Sequence, residues 1–302
     1  MSKLTSKDLF GSMTALVTPM LKDGSVDYSS WKKLIVYQIK SNIKAIVVAG
    51  TTGESALLKR QEFKQLLTLA VECCKGSNTR VIAQTGSISA QVVIENNKIA
   101  AELGADAVLI VTPYYIRTNQ QGLYQHFMQI TDVCELPIIL YNVPTRTQND
   151  LLPETTALLS KHEKIIGIKE AAIDTDRVIE LVKLAPHDFA VLSGNDDTFV
   201  ASMLQGACGV ISVASNVRPL TITKLCTLLA LGDTISAKKL NSSLDNLFKV
   251  LSYQPNPIPV KYLLQQAGLI VAGIRLPLVW QDEDFTQAKS EIKLIIKEYS
   301  KI

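Results

Sequence analysis

The stretch Ile165-Ile166-Gly167-Ile168-Lys169-Glu170-Ala171-Ala172 is an apolar, strand-like run that contains one lysine near its end. Burying an ammonium without a partner is costly, and burial favours the neutral amine. The neutral amine is the nucleophile that forms Schiff bases with carbonyl compounds. Lys169 therefore suggests imine chemistry, although an exposed lysine at the end of a strand gives the same pattern.

Seven other short runs share this apolar character and also end in small or polar residues. Most are continuous rather than alternating, which is typical of strands buried on both faces. In chain order, the eight runs are Ser12–Pro19, Lys44–Gly50, Arg80–Gly86, Ala107–Pro113, Pro137–Pro144, Ile165–Ala171, Phe189–Asn195 and Gly209–Ser215.

Each of these runs is followed by a segment with helical spacing, and the first such segment begins with Asp27 as a plausible N-cap. Eight strand-then-helix units predict an α/β protein, a (β/α)8 TIM barrel. A doubly wound open sheet is the competing architecture. The count of eight and the lack of a GxGxxG or GxxxxGK[ST] fingerprint favour the barrel.

The residues after the eighth unit carry further helical patterns and a proline-rich turn. The helical stretches are Thr234–Leu251, Pro259–Gln266 and Asp284–Tyr299. We therefore predict a catalytic barrel over residues 1–232 and a C-terminal helical region over residues 233–302 that packs on it.

Composition excludes several classes of function. The chain has 302 residues, of which 47% are hydrophobic and 20% charged, and its net charge is +3 without a basic stripe, so nucleic acid is not an expected partner. The five cysteines lack zinc-type pairs and the three histidines lack ligand spacing, which argues against a catalytic metal and for the reduced thiols of a cytoplasmic protein. The sequence shows neither a signal peptide nor a run long enough to span a membrane.

In such a barrel the active site lies at the carboxyl ends of the strands. Thr51 and Thr52 follow the second strand among glycines and could hold a carboxylate, or simply cap a helix. Tyr141 on the fifth strand could relay a proton, or pack at the edge of the core. Arg146 offers a fork for a second carboxylate, or is a solvated loop residue. With Lys169, these side chains indicate a site for carboxylated carbonyl compounds.

The motifs at these strand ends resemble one known family. They are Gly50–Ser55 (GTTGES), Val111–Tyr115 (VTPYY), Gly122–Phe127 (GLYQHF), Tyr141–Thr147 (YNVPTRT), Leu151–Thr155 (LLPET), Gly167–Ala171 (GIKEA), Leu192–Asn195 (LSGN), Gly209–Val213 (GVISV) and Pro255–Lys261 (PNPIPVK). In this order and register, from Gly11 to about Pro277, they resemble the dihydrodipicolinate synthase family. That family belongs to the N-acetylneuraminate lyase superfamily of pyruvate-dependent Schiff-base aldolases. Arg146 after YNVPT is the residue that favours this family over sialic-acid lyases.

The resemblance implies a lyase of lysine and diaminopimelate biosynthesis that condenses pyruvate with L-aspartate-4-semialdehyde and needs no cofactor. Lys169 would form the imine with pyruvate. Tyr141, Thr51 and Tyr115 would form a proton relay, and Thr51 and Thr52 would place the carboxylate of pyruvate.

The resemblance also implies further contacts with the substrates and between subunits. Arg146 would hold the carboxylate of the semialdehyde, while Gly194 and Ile211 would contribute backbone groups around the imine. The family's counterpart of Tyr115 reaches into the neighbouring subunit's site, which implies a catalytic dimer within a homotetramer.

The sequence departs from the family at the pocket where many members bind inhibitory lysine. Ser55, Ala56 and Tyr114 match that pocket, whereas Arg60 and Phe63 replace the histidines of the inhibited bacterial enzymes. Ile88 stands in place of an asparagine, and Val92 replaces the glutamate that pairs with the amine of lysine. Since neither can accept a hydrogen bond, we expect a degenerate regulatory site.

Two other classes of function remain open from the sequence. One is a sibling aldolase or lyase that acts on sialic or keto-deoxy sugar acids. The other is a catalytically silent barrel that serves as a binding protein, which the presence of the complete relay disfavours.

Overall fold

The computed structural model describes residues 4–174, 176–281 and 286–302. Eight parallel strands form a closed barrel in chain order, which confirms the predicted (β/α)8 fold. The strands are β1 (Gly11–Ala15), β2 (Ala45–Val48), β3 (Arg80–Gln84), β4 (Ala107–Val111), β5 (Ile138–Asn142), β6 (Ile165–Glu170), β7 (Ala190–Ser193) and β8 (Gly209–Ser212).

The strands are buried along nearly their whole length, as their continuous apolar runs predicted. Every residue of β4, β5 and β6 is buried, including the polar residues at the carboxyl ends of β5 and β6. A strand covered on both faces needs apolar residues at consecutive positions. The polar residues that end these strands therefore need internal partners.

Helices lie between the strands and continue after the last one. They are α1 (Tyr28–Lys40), α2 (Arg60–Cys74), α3 (Ala90–Glu102), α4 (Gln120–Val133), α5 (Pro144–Thr147), α6 (Pro153–Leu159), α7 (Asp176–Leu184), α8 (Phe199–Leu204), α9 (Pro219–Ala230), α10 (Thr234–Ser242), α11 (Asp245–Ser252), α12 (Ile258–Gln266) and α13 (Lys289–Tyr299).

The predicted N-cap of the first helix is confirmed. The carboxylate of Asp27 accepts hydrogen bonds from the backbone amides of Ser29 and Ser30 at 3.1 and 3.0 Å. These amides would otherwise lack partners in the first helical turn.

The predicted helical stretch Thr234–Leu251 is divided into two helices, α10 and α11. The hydroxyl of Ser243 donates to the carbonyl of Leu240 at 2.6 Å, and the backbone amide of Ser243 donates to the same carbonyl at 3.1 Å. Such local hydrogen bonds compete with helix continuation. The predicted start of the last helix at Asp284 lies outside the described residues, as does Thr175 before α7.

Two compact units can be distinguished by the density of their internal contacts. One unit comprises the residues up to Gly11 and 80–211, and it contains β3 to β7. The other comprises residues 12–79 and 212–302, and it contains β2 and α9 to α13. The boundary at residue 232 between a barrel and a helical region stays a prediction.

The second unit joins sequence segments that are far apart. The indole of Trp31 donates to the carbonyl of Leu66 at 3.1 Å, and the hydroxyl of Tyr299 donates to the carbonyl of Asn216. Both aromatic side chains are buried. The C-terminal helices are therefore integral to this unit.

Cys74, Cys134 and Cys226 are buried, whereas Cys73 and Cys208 are half-buried. Within the part of the chain that the structure describes, no helix is long and apolar enough to cross a membrane.

Candidate active site

Lys169 and Tyr141 lie side by side at the carboxyl ends of β6 and β5. The register of these parallel strands pairs the two residues directly. The ammonium nitrogen of Lys169 lies 4.4 Å from the centroid of the Tyr141 ring. Both residues are only 6% exposed. The lysine is therefore buried, as an imine-forming residue requires, and an acid–base group lies beside it.

Gly194, at the end of β7, leaves room for the lysine. A methyl group added at this position would come within 3.0 Å of Lys169 Cε and within 2.7 Å of Ala171 Cβ. The amide of Gly194 donates to the carbonyl of Glu170 at 2.7 Å. The close approach of backbone and lysine therefore requires glycine here.

A polar network supports β5 and β6 on the face opposite Lys169 and Tyr141. The amide of Asn142 donates to both carboxylate oxygens of Glu170 at 3.1 Å and to Asp150 at 2.8 Å. Arg177 forms two hydrogen bonds with Asp150 at 3.1 and 2.9 Å, and the Ala172 amide donates to Glu170 at 2.7 Å. This network ties the two strand ends to α7 and to the loop after β5.

Burial raises the pKa of Glu170 to about 7. The hydrogen bonds from Ala172 and Asn142 and the charge of Arg177 oppose this rise, while the charge of Asp150 adds to it. A buried carboxyl group that titrates near neutrality thus lies next to Lys169 in the chain. Perturbed titratable groups of this kind are common at functional sites.

Tyr115 and Arg146 lie on the loops that follow β4 and β5. The side chain of Tyr115 is 89% exposed, and its backbone has φ of 72°. A bulky residue rarely adopts this left-handed conformation. Arg146 lies within the short helix α5 and is also exposed. Both residues can therefore reach molecules outside the barrel core.

Thr51 and Thr52 lie in the turn after β2, which belongs to the second unit. The hydroxyl of Thr52 accepts a hydrogen bond from the side-chain amide of Asn256 at 3.0 Å. Thr18 donates to the carbonyl of Gly53 at 2.7 Å. Thr52 is buried and Thr51 is half-buried. The turn is therefore held by residues far away in the sequence.

A buried ion pair completes this turn. Lys261 of α12 lies 2.5 Å from Glu54, and the side chains of both residues are fully buried. Glu54 has φ of 58°, and its second carboxylate oxygen accepts from the amide of Arg275 at 3.3 Å. Burial lowers the pKa of Lys261, and the charge of Glu54 acts in the opposite direction. The left-handed backbone at Glu54 is thus fixed by its side chain.

The remaining sequence-predicted residues are Ile211 and those of the lysine pocket, for which the structure gives the degree of burial. Ile211 is fully buried in β8. Among the residues compared with the lysine pocket, Ile88 and Val92 are each 40% exposed, Ala56 and Arg60 are exposed, and Ser55, Phe63 and Tyr114 are half-buried. In the described residues, no group of three or more histidine, cysteine or acidic side chains is placed to hold a metal ion.

Sequence reasoning missed the supporting residues of the site. Asn142 and Glu170 were inside the quoted motifs, each one position beyond a predicted catalytic residue, and Lys261 ended the PNPIPVK motif. Alternation along a strand could have identified the first two, since neighbouring residues point to opposite faces. No local signal indicates the pairing of Glu54 with Lys261.

A closed barrel of eight parallel strands with a buried lysine on the sixth and a tyrosine beside it is the arrangement expected of an imine-forming barrel enzyme. The model of the dihydrodipicolinate synthetase family matches residues 8–298. The chain belongs to this family.

Individual relatives are similar over nearly the whole chain. A 4-hydroxy-tetrahydrodipicolinate synthase of Laribacter hongkongensis is 44% identical over 286 residues, which cover 95% of this chain and 98% of that protein. One from Pseudomonas aeruginosa is 46% identical over 270 residues, or 89% and 92% of the two chains. The crystal structure of the chloride-inhibited dihydrodipicolinate synthase of Acinetobacter baumannii complexed with pyruvate has a TM-score of 0.90 and 41% identity, and the match covers 97% of this chain and 100% of that one.

The raised pKa of Glu170 makes stability fall with pH. In the folded chain this group ionises near pH 7, whereas its ordinary pKa is 4.5. The protonated Glu170 makes its full contribution to the free energy of unfolding below pH 4.5. This contribution is lost as the pH rises to about 7, because over this range the unfolded chain releases the proton and the folded chain retains it. At ~1.4 kcal/mol per tenfold change, the loss amounts to roughly 3 kcal/mol.

Urea unfolding at pH 5 and pH 8 tests this expectation. The decrease in unfolding free energy between the two pH values should be larger in the wild type than in Glu170→Gln. The exposed Glu163, in the loop before the same strand, provides the control Glu163→Gln, which should behave as the wild type. An equal decrease in Glu170→Gln and the wild type would show that Glu170 does not titrate in this range.

Proposed function

We propose that this protein condenses pyruvate with L-aspartate-4-semialdehyde to form 4-hydroxy-tetrahydrodipicolinate, in the diaminopimelate route to lysine. The observation that carries the proposal is the buried Lys169, whose nitrogen lies 4.4 Å from the centroid of the Tyr141 ring. Membership of the family and the pyruvate in the Acinetobacter baumannii structure support this choice of substrates.

The reaction follows from the nucleophilic amine of Lys169. The amine adds to the ketone of pyruvate, and loss of water gives an imine. Loss of a methyl proton converts the imine into an enamine, whose carbon attacks the aldehyde of the second substrate. The amino group of that substrate then displaces Lys169 by transimination, which closes the ring and regenerates the free lysine.

Tyr141, Thr51 and Tyr115 serve as the proton relay for these steps. Tyr141 lies next to the lysine nitrogen and exchanges protons with the imine and the aldehyde oxygen. Thr51 connects Tyr141 to Tyr115. Tyr115 is supplied by the neighbouring subunit, which agrees with its 89% exposure in a single chain. The catalytic unit is accordingly a dimer, within a cytoplasmic homotetramer formed as a dimer of dimers.

Two carboxylates orient the substrates. Thr51 and Thr52 bind the carboxylate of pyruvate, and Arg146 binds that of the semialdehyde with its planar guanidinium fork. Gly194 and Ile211 line the imine with backbone groups. The requirement for glycine beside Lys169 supports the placement of Gly194 in this role.

Lys169→Arg tests the function and its nucleophile together. A guanidinium stays protonated and cannot form an imine, so condensation of pyruvate with aspartate semialdehyde should be almost abolished. Borohydride in the presence of pyruvate should attach one pyruvate-derived group to Lys169 of the wild type, detected by peptide mass spectrometry. Lys164, which immediately precedes the same strand, gives the control Lys164→Arg, which should retain turnover and labelling.

Labelling of another lysine, or none, would overturn the role of Lys169. Labelling without condensation would point to the sibling lyases. In that case, release of pyruvate from sialic or keto-deoxy sugar acids, coupled to lactate dehydrogenase, would be observed instead.

Arg146→Ala should weaken the binding of aspartate semialdehyde more than the binding of pyruvate. Loss of a hydrogen bond to a charged group costs about 1.5–3 kcal/mol, so KM for aspartate semialdehyde should rise roughly 10- to 100-fold. KM for pyruvate should change little, and Arg146→Lys should recover part of the loss because it keeps the charge without the fork. Steady-state kinetics with each substrate varied in turn provide the measurement, and equal effects on both constants would assign Arg146 a structural role.

Inhibition by lysine should be weak or absent. Each lost hydrogen bond to a charged group lowers affinity by about 10- to 100-fold, and Ile88 and Val92 remove two such partners. Half-inhibition should therefore require more than about 1 mM lysine. The double variant Ile88→Asn/Val92→Glu restores both polar side chains and should be inhibited at lower concentrations. Half-inhibition of the wild type below about 1 mM lysine would contradict the assignment of a degenerate regulatory site.

A further inference from the structure

The turn that carries Tyr115 has an unusual conformation for its residue type. Tyr115 combines φ of 72° with a side chain that is 89% exposed. An aromatic residue does not adopt a left-handed backbone unless the surrounding structure imposes it. The exposed ring itself supplies little of that restraint. The restraint must therefore act on the backbone on either side of Tyr115.

Asn149, in the loop after β5, provides this restraint. Its side-chain amide donates to the carbonyls of Pro113 and Ile116, both at 2.7 Å. Its side-chain oxygen accepts from the backbone amide of Thr118 at 3.0 Å. Both amide hydrogens and the oxygen are thus used, and their partners flank Tyr115 on both sides. Asn149 is only 2% exposed, so water cannot replace these hydrogen bonds.

Asn149 is itself anchored to the barrel. The hydroxyl of Thr147 donates to the carbonyl of Asn149 at 2.9 Å. The hydroxyl of Thr112, which follows β4, donates to that of Thr147 at 3.0 Å. The asparagine therefore transmits the rigid spacing of β4 and β5 to the turn that follows β4.

We propose that Asn149 is a positioning residue for catalysis in the neighbouring subunit. It fixes the backbone around Tyr115 so that the ring projects from its own chain into the partner's site. The inference rests on the proposed function, in which Tyr115 completes the relay of the other subunit. It goes beyond that function because Asn149 touches no substrate and acts across the subunit boundary through Tyr115.

The side chain has the specific chemistry for this task. Aspartate at position 149 would match its shape but would present an oxygen to the two carbonyls that now accept its amide hydrogens. Alanine would leave two carbonyls and one amide without partners. Asn149→Ala should lower turnover roughly 10- to 100-fold, part of the ~10²–10⁴-fold contribution typical of an acid–base group. The turnover of Asn149→Ala should not fall below that of Tyr115→Phe.

Hybrid dimers distinguish action on the partner from action within the chain. Asn149→Ala and Lys169→Arg subunits are co-expressed with different affinity tags and purified through both. In the hybrid, the intact Lys169 site receives Tyr115 from the subunit that retains Asn149. Its activity should therefore lie well above that of Asn149→Ala alone and approach that of a wild-type/Lys169→Arg hybrid prepared in the same way.

The outcomes separate this inference from the proposed function. If the hybrid remains as impaired as Asn149→Ala alone, Asn149 acts within its own subunit, through the Arg146 loop, and the proposal is wrong. Wild-type activity in Asn149→Ala would also overturn it. A Tyr115→Phe/Lys169→Arg hybrid tests the proposed function, since failure to recover activity there would mean that Tyr115 does not serve the partner.

Asn149→Asp provides a second variant if alanine impairs folding, and thermal unfolding establishes that each preparation is folded. The aspartate variant should show the same rescue by the Lys169→Arg subunit. Reduced turnover of the folded aspartate variant without that rescue would contradict the proposal.

Discussion

The register between β5 and β6 is the constraint on which the site depends. It pairs Tyr141 with Lys169 and, one position further, Asn142 with Glu170. Because successive residues point to opposite faces, one strand pair presents the two proposed catalytic side chains on one face and their polar support on the other. The register shifts between Ile138 and Ile139, before these pairs. A slip of one residue after that point would exchange the two faces and remove both the lysine and its support from their places.

The site is therefore maintained by polar contacts that apolar packing alone would not provide. The Glu170 network includes Asp150 and Arg177, and it stabilises the loop after β5 that also carries Arg146 and Asn149. In the second unit, the ion pair of Glu54 with Lys261 has the same role for the threonine turn. Breaking such a buried pair by removing one partner typically costs about 3–5 kcal/mol, because the other charge is left uncompensated.

The sequence predicted the barrel and the residues proposed to react, but not the contacts that hold those residues in place. The strands were visible because double-sided burial leaves a local mark, a continuous apolar run such as that of β4. Lys169 could be singled out because it interrupts such an apolar run. Glu54 carries no such local mark, because nothing near it in the sequence indicates a partner 207 residues away. The break between α10 and α11 was missed because the apolar spacing continues through it, while hydrogen bonds of Ser243 end the helix.

The long separation between Glu54 and Lys261 also determines when the protein becomes competent during its synthesis. While the nascent chain emerges from the ribosome, the turn with Thr51 and Thr52 is made early, but its counter-ion is still untranslated. An isolated carboxylate remains hydrated rather than buried. The left-handed turn at Glu54 is thus completed only after α12 has left the exit tunnel. A chain that is cut short before α12 therefore carries every proposed catalytic residue but lacks the counter-ion of Glu54.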